Sequence, residues 1–328
     1  MSKLTGQGLL LRVSEMVGRD LERAEQKFQE ELASWHPYVT DVVAHVTRFR
    51  GKRLRPILVL LSAQACGGIR PEHHTLAAVV EMIHTATLVH DDVLDEADTR
   101  RHVATVNSRW NTETSVLCGD YLFTHAFHLA ASLDALACRL IGRATNLVCE
   151  GELCQVHERA NSRLSQDQYF KIINGKTAEL CALCSFAGAH YAGSSTSVSE
   201  SFREYGRLLG MAFQIADDVL DIVGDADKTG KSIGTDYEKQ KLTLPLIHLL
   251  ETASESDAAR ARELIENPAA ENRSALIEMV RNSDAIEYAN SVARRFADDA
   301  IAALNVVPDS PARQILSEMA EFASRRSF

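Results

Sequence analysis

The chain is poor in the features that punctuate a fold or stitch it together. Its 328 residues include only seven prolines, and the aromatic share is 6%. No Asn-Gly or Asp-Gly pair stands between alternating apolar segments, so the strongest hairpin signal is missing. Asn174-Gly175 is flanked by helix-period sequence and reads as a helix interruption. No apolar run approaches the ~20 residues that span a bilayer. The stretch from Leu9 to Leu32 is amphipathic and lacks the apolar segment of a signal peptide, so a soluble protein is expected. No Gly/Ser/Pro-rich linker or shift of composition divides the chain, so residues 1–328 are expected to form one domain. Basic charge is not in excess: the net charge of −10 argues against nucleic acid as a partner, which demands a basic face. The seven cysteines are odd in number and lack paired metal-ligand spacing. Cys181 and Cys184 come nearest, but they lie in an apolar helical pattern with no second pair nearby. Reduced, buried thiols in a cytoplasmic protein are the expectation.

What the chain has instead is helical periodicity. Period-3.6 patterns run from Leu76 to Leu94, Tyr121 to Leu136, Leu140 to Val156 and Phe202 to Val223. Capping boxes fit starts at Ser165-Gln-Asp-Gln168 and Ser197-Val-Ser-Glu200. Pro37, Pro56, Pro71, Pro268, Pro308 and Pro311 fall where turns or first helical positions belong. The sequence predicts an all-α bundle of roughly ten or more helices at the usual helix length. The polar region from Ser254 to Asn282 is expected at its periphery.

Within that pattern the pentapeptide Asp-Asp-Val-Leu-Asp occurs twice, at Asp91–Asp95 and Asp217–Asp221. Apolar residues precede both copies, Thr87-Leu88-Val89 and Phe213-Gln214-Ile215-Ala216. Carboxylates gathered beside a core are costly unless cations neutralise them. On a helix, residues four apart share a face, so Asp91 aligns with Asp95 and Asp217 with Asp221. If the two helices face one another, they form opposed acidic walls. Oxygen-only walls suit Mg²⁺, which keeps several waters and bridges to phosphate oxygens. One such motif is often only a solvated acidic face; two identical copies with apolar flanks are not explained that way. Basic residues supply the complement: Lys52, Arg53 and Arg55 before the apolar run Ile57–Leu61, then Arg100-Arg101, Lys176, Lys231 and Lys241. Guanidinium and ammonium groups offer a diphosphate what it needs beyond its metal ions.

These residues in this order resemble the trans-polyprenyl diphosphate synthases. The matching elements are Gly51-Lys52-Arg53-Leu54-Arg55-Pro56, Ile83-His84-Thr85, His90 to Asp95, Arg100-Arg101, Cys118-Gly119-Asp120-Tyr121 and Gly175-Lys176-Thr177-Ala178. They continue through Phe213 to Asp221, Gly230 to Asp236 and Lys241-Leu242-Thr243-Leu244-Pro245. Two positions depart from the family: Gln240 and His102 stand where glycine is usual, both in expected loops.

The resemblance implies a single large helical bundle of the isoprenoid synthase type with a central cavity. It implies condensation of isopentenyl diphosphate with an allylic diphosphate, farnesyl or geranylgeranyl, in isoprenoid or quinone side-chain biosynthesis. Lys52, Arg55, His84 and Arg101 would hold isopentenyl diphosphate. Arg100, Lys176, Thr177, Gln214, Lys231 and Lys241 would surround the allylic diphosphate. Asp91, Asp95 and Asp217 would ligate about three Mg²⁺ ions, with Asp92, Asp218 and Asp221 in support. Ionisation breaks the allylic carbon–oxygen bond, and its electron pair leaves with diphosphate. The double bond of isopentenyl diphosphate then attacks the cation, and released diphosphate takes the proton that is lost. Cationic side chains stabilise the leaving group, while Thr177 and Gln214 place oxygen dipoles near the cation. No protein nucleophile is required. The family is usually dimeric, so a homodimer is expected.

Bulky aromatics at the fourth and fifth positions before the first aspartate shorten the product in this family. Here those positions are Thr87 and Ala86, both small. The similarity to octaprenyl-type synthases, including Ala302-Ala303-Leu304 and Val307-Pro308-Asp309 near the C-terminus, implies an octaprenyl (C40) product within C30 to C50. The alternatives are a farnesyl or geranylgeranyl diphosphate synthase, a non-catalytic partner subunit of a heteromeric synthase, and a head-to-head terpene synthase. The intact acidic motifs argue against the second, and the Gly51–Pro56 element against the third.

Overall fold

The computed structural model describes residues 6–49, 51–223, 234–267 and 269–325. The architecture is all-α, and among the described residues no helix is long and apolar enough to cross a membrane. The chain divides into two compact units, each assembled from separate stretches of sequence.

The first unit comprises Met1–Thr145, Leu180–Arg203 and Leu304–Leu316. Helix α4 (Pro71–Leu94) runs through it, packed against α1 (Gly6–Glu31), α3 (Leu54–Ala65) and α6 (Thr112–Ala131). Pro71 starts α4 because its fixed φ suits the first helical position and its missing N–H is not needed there. The backbone N–H of Arg70 donates to His73 Nδ1 at 2.8 Å, closing that end. Residues Leu76 to Val80, Met82, Ile83 and Ala86 are buried all round the helix, as a central rod requires. Full burial of Met82 or Ile83 contributes about 2 kcal/mol each. The short helices α2 (Pro37–Val46) and α5 (Val106–Arg109) also belong to this unit, with most of α9 (Glu179–Tyr191).

After α4 the chain forms a minimal hairpin, β1 (Thr99–Arg100) with β2 (Val103–Ala104), paired Arg100 to Val103. Its two turn residues, Arg101 and His102, both have positive φ, 51° and 64°. That is the pattern of a type I′ turn, which normally takes Asn-Gly or Gly-Gly. The scarcity of strand signals is therefore real but hid this ladder.

The second unit comprises Asn146–Glu179, Glu204–Ala303 and Ser317–Phe328. It includes most of α7 (Ala135–His157), then α8 (Gln166–Ile173), a π turn (Asn174–Ala178) and the greater part of α10 (Thr196–Val223). Further helices are α11 (Thr235–Glu238), α12 (Leu244–Thr252), α13 (Glu255–Glu266), α14 (Ala270–Arg281) and α15 (Ala285–Ala303). The last, α16 (Pro311–Ser324), is divided between the units. Its core joins Ile172, Met211, Ile215, Leu244, Ile247 and Val292. Ile265 of α13 and Val280 of α14 also enter that core, so the polar stretch 254–282 is not merely peripheral.

The capping box at Ser165 is present, whereas the one at Ser197 is not. There Ser195 Oγ accepts from the N–H of Val198 at 3.3 Å, and the helix begins at Thr196. The pattern from Tyr121 to Leu136 is also broken: α6 ends at Ala131, and Asp134 accepts from the N–H of Ala137 at 2.8 Å to start α7. An apolar period continued across that break because a carboxylate at the N-cap is a local signal that periodicity does not weigh. All seven cysteines are free; Cys118, Cys181 and Cys184 are buried, but Cys149 and Cys154 on α7 are exposed.

Candidate active site

The first acidic motif closes helix α4. Asp91 and Asp95 are partly exposed, with Asp95 as the C-cap. The negative end of the helix dipole adds to their charge and favours a cation there. Asp92 is different: it is 1% exposed, and Arg100 from the hairpin donates to its Oδ1 through Nε at 2.8 Å and Nη2 at 2.7 Å. The side chain expected to hold an allylic diphosphate thus also neutralises a buried carboxylate.

Three of the four side chains expected to bind isopentenyl diphosphate lie within one electrostatic neighbourhood of the first unit. His84 is held neutral, its pKa pressed well below the usual value by burial and by Arg55, Arg101 and Arg100. Arg101 donates to the carbonyl of Phe49 at 2.5 Å. A Cβ at Gly51 would run into its guanidinium, so a larger residue there would displace that end of Arg101. Glu81, missed from the sequence, is half-buried and pairs with Arg53 at 3.6 Å. Burial raises its pKa, which Arg53, Arg55 and Arg101 oppose. Its spacing three residues before His84 was the available signal. Lys52 is exposed just before α3. Of the chain-length positions, Ala86 is fully buried and Thr87 partly so, its hydroxyl donating to the carbonyl of His84 at 2.8 Å.

In the second unit Asp217 and Asp221 are partly exposed on α10, and Asp218 is 5% exposed. Tyr169 of α8 donates to Asp218 Oδ2 at 2.6 Å, and Gln214 Nε2 donates to its Oδ1 at 2.8 Å. Thr177 in turn donates to Gln214 Oε1 at 2.8 Å. Burial, Asp236 and Asp217 raise the Asp218 pKa above its ordinary value, while the hydrogen bonds donated by Tyr169 and Gln214 favour its charged form. Asp236, given no role from sequence, has its carboxyl pushed up to about 6 by burial and the charge of Asp221, opposed by Lys241 and Lys176. Its backbone N–H donates to Asp221 Oδ2 at 3.1 Å, and its carbonyl accepts from the N–H of Lys241 at 2.8 Å. Lys176 pairs with Glu152 of α7 at 2.5 Å.

The interruption at Asn174-Gly175 is the π turn, which carries Lys176 and Thr177. π turns of this kind shift the backbone hydrogen-bond register, commonly at functional sites. Gly151 permits it: a Cβ there would lie 2.5 Å from the backbone nitrogen of Lys176. Lys231 lies outside the described residues.

The donors suit a hard cation. Each unit presents a pair of carboxylates four residues apart on one helix, with no softer ligand in the motif. Among the described residues no three acidic, histidine or cysteine side chains form a complete metal cage.

Known proteins resemble this chain over most of its length. The polyprenyl synthetase family model matches residues 36–282. The octaprenyl diphosphate synthase of Escherichia coli is 34% identical over 97% of this chain and 99% of its own. The geranyl-diphosphate-specific all-trans-nonaprenyl-diphosphate synthase of Rhodobacter capsulatus is 38% identical over 94% of this chain and 96% of its own. A polyprenyl synthase of Caulobacter crescentus, solved with calcium and isoprenyl diphosphate, superimposes with a TM-score of 0.92 at 35% identity, covering 97% of this chain and 98% of that one. With two DDxxD motifs, a guanidinium cluster around a neutral histidine and end-to-end similarity of this extent, the chain belongs to the polyprenyl synthetase family.

Proposed function

We propose that the protein is a cytoplasmic long-chain trans-prenyltransferase, working as one catalytic domain over residues 1–328 and adding isopentenyl diphosphate to a farnesyl or geranylgeranyl primer. The observation that carries this reading is the division of labour in each DDxxD motif. The first and fifth aspartates are left partly exposed while the second is buried on a protein partner. Asp91, Asp95, Asp217 and Asp221 would hold Mg²⁺, which supplies charge to draw the electron pair of the breaking carbon–oxygen bond onto diphosphate. Lys176, Lys241 and the remaining donors of Arg100 orient that leaving group, with Lys231 expected to join them. Lys52, Arg55, His84 and Arg101 orient isopentenyl diphosphate, and neutral His84 contributes a hydrogen bond without adding to the crowd of cations.

The small residues Thr87 and Ala86, four and five positions before Asp91, favour a long-chain product, with octaprenyl the length proposed. A homodimer is part of the proposal. Its support is apolar surface on α6 (Val116, Leu117, Phe127) and, in the second unit, on α7 (Leu153, Val156). The test is purified protein with Mg²⁺, farnesyl diphosphate and labelled isopentenyl diphosphate, with products resolved by length. Absence of incorporation would overturn the synthase reading, and products ending at C20 would overturn the long-chain one. Ala86→Phe is expected to shorten the product; an unchanged ladder would place the floor elsewhere.

A further inference from the structure

We propose that Tyr169 is a positioning residue that fixes the direction in which Thr177 and Gln214 present their oxygens, through the relay Tyr169–Asp218–Gln214–Thr177. The inference rests on the prenyltransferase reading above and concerns a side chain remote from the DDxxD spacing. Each link is directional with Asp218 as the carboxylate, the form that accepts from both neighbours. The Tyr169 hydroxyl is buried and can donate only once, to Asp218 Oδ2 at 2.6 Å. The other carboxylate oxygen of Asp218 accepts from Gln214 Nε2 at 2.8 Å. An amide anchored by its nitrogen turns its oxygen the other way, and that oxygen takes the Thr177 hydroxyl proton at 2.8 Å. With its single proton committed, Thr177 offers lone pairs, not an O–H dipole, to whatever lies beyond it.

Lone pairs favour a developing carbocation, whereas an outward O–H would oppose it. Without the tyrosine hydroxyl, Asp218 Oδ2 is left in a buried site with one partner fewer, and rotation of the carboxyl frees Gln214 to flip. In the flipped amide Nε2 faces Thr177, which must then accept from it and turn its own proton outward. Hydrogen-bond partners behind metal-ligating residues typically cost 10–100-fold when lost, and the low end of that range is taken for Tyr169.

The test is Tyr169→Phe, which keeps the ring in its apolar seat, compared with the parent enzyme in the same assay. The expected result is a kcat about tenfold lower with KM for isopentenyl diphosphate unchanged and circular dichroism intact. The decisive readout is binding of two diphosphate analogues, one with an ammonium centre at the cationic carbon and one with a neutral carbon there. Tyr169→Phe should lower the preference for the ammonium analogue about tenfold. Equal weakening of both analogues, or a parental kcat, would overturn the proposal. If Tyr169→Phe unfolds, Gln214→Leu keeps the test open: it removes the anchored amide and should abolish the same preference. An inactive parent enzyme would instead overturn the prenyltransferase reading, so the two failures are distinguishable.

Discussion

His102 and Gln240 occupy backbone conformations that their side chains resist, at φ 64° and 52°. Glycine would adopt either conformation without that resistance. A Cβ in the left-handed region crowds the following carbonyl, at about 1–2 kcal/mol. Glycine removes that crowding but gives the unfolded chain more freedom, which takes back about 0.4–1 kcal/mol. His102→Gly should therefore stabilise by about 0.5–1 kcal/mol, since the exposed imidazole tips the hairpin without a hydrogen bond to lose. Gln240→Gly also forfeits a long contact from Nε2 to the carbonyl of Ile265 at 3.5 Å, so its gain is about 0.3–0.8 kcal/mol. The two sites belong to different units and should add, giving about 1–2 kcal/mol for the double variant. Unfolding entropy of about 2 cal/mol/K per residue converts this to a Tm rise of about 1.5–3 °C for a chain of this length. Differential scanning calorimetry and urea titration would measure it. His102→Ala and Gln240→Ala are the controls, because alanine keeps the Cβ and should gain nothing. A Tm that stays level in the glycine variants, or rises equally with alanine, would refute the strain argument.

Asp92→Asn leaves Arg100 beside a neutral amide in a buried seat. Loss of the pair should cost about 2–3 kcal/mol in urea titration, and a loss below 1 kcal/mol would show the pair is replaceable. Gly151→Ala drives a methyl against the backbone of the π turn. It should destabilise by about 1–3 kcal/mol and lower kcat, and parental kinetics would mean the turn tolerates displacement. His73 is buried neutral, with Nδ1 accepting from Arg70 and Nε2 donating to the carbonyl of Gly188 at 3.1 Å. Burial lowers its pKa, so its contribution is complete above about pH 6.5 and is lost as pH falls below that value toward the folded pKa. Urea midpoints should drop from pH 7 to pH 5, and His73→Gln should flatten that drop; an equal slope in both proteins would exclude His73 as a source.

Helices were legible because burying one stripe forces a 3.6-residue period on the chain, and α7, α8 and α10 carry it. Their ends were less so. Asp134 and Ser195 act through single hydrogen bonds to backbone N–H groups, a signal that two apolar stretches in phase can overwrite. The hairpin was invisible because its turn is built from Arg101 and His102, side chains that argue against the conformation they adopt. In the site, the paired aspartates and the basic residues were legible because their chemistry is bound to spacing. Tyr169, Glu152 and Asp236 were not. Tyr169 finds Asp218 across 49 residues, a distance over which a lone tyrosine on an amphipathic helix gives no hint of its partner. It looks like any core aromatic until the fold places a carboxylate at its hydroxyl.

The repeated pentapeptide also shows why one spacing yields two unlike environments. With about 100° per residue, the first and fifth positions of DDxxD lie some 40° apart, and the second lies a quarter-turn round from the first. A helix that offers the first and fifth to substrate must press the second toward its own packing partners. Asp92 and Asp218 are accordingly 1% and 5% exposed. A carboxylate so placed needs a partner from the protein, and the two motifs solve this differently. Arg100 brings a full positive charge to Asp92. Tyr169 and Gln214 bring only dipoles to Asp218, so burial and the charges of Asp236 and Asp217 still raise its pKa. Dipoles are the weaker neutraliser but the better pointer, since a hydroxyl and an amide pass direction along where a guanidinium only cancels charge. The first motif is therefore built to be held in place, and the second to transmit orientation as far as Thr177.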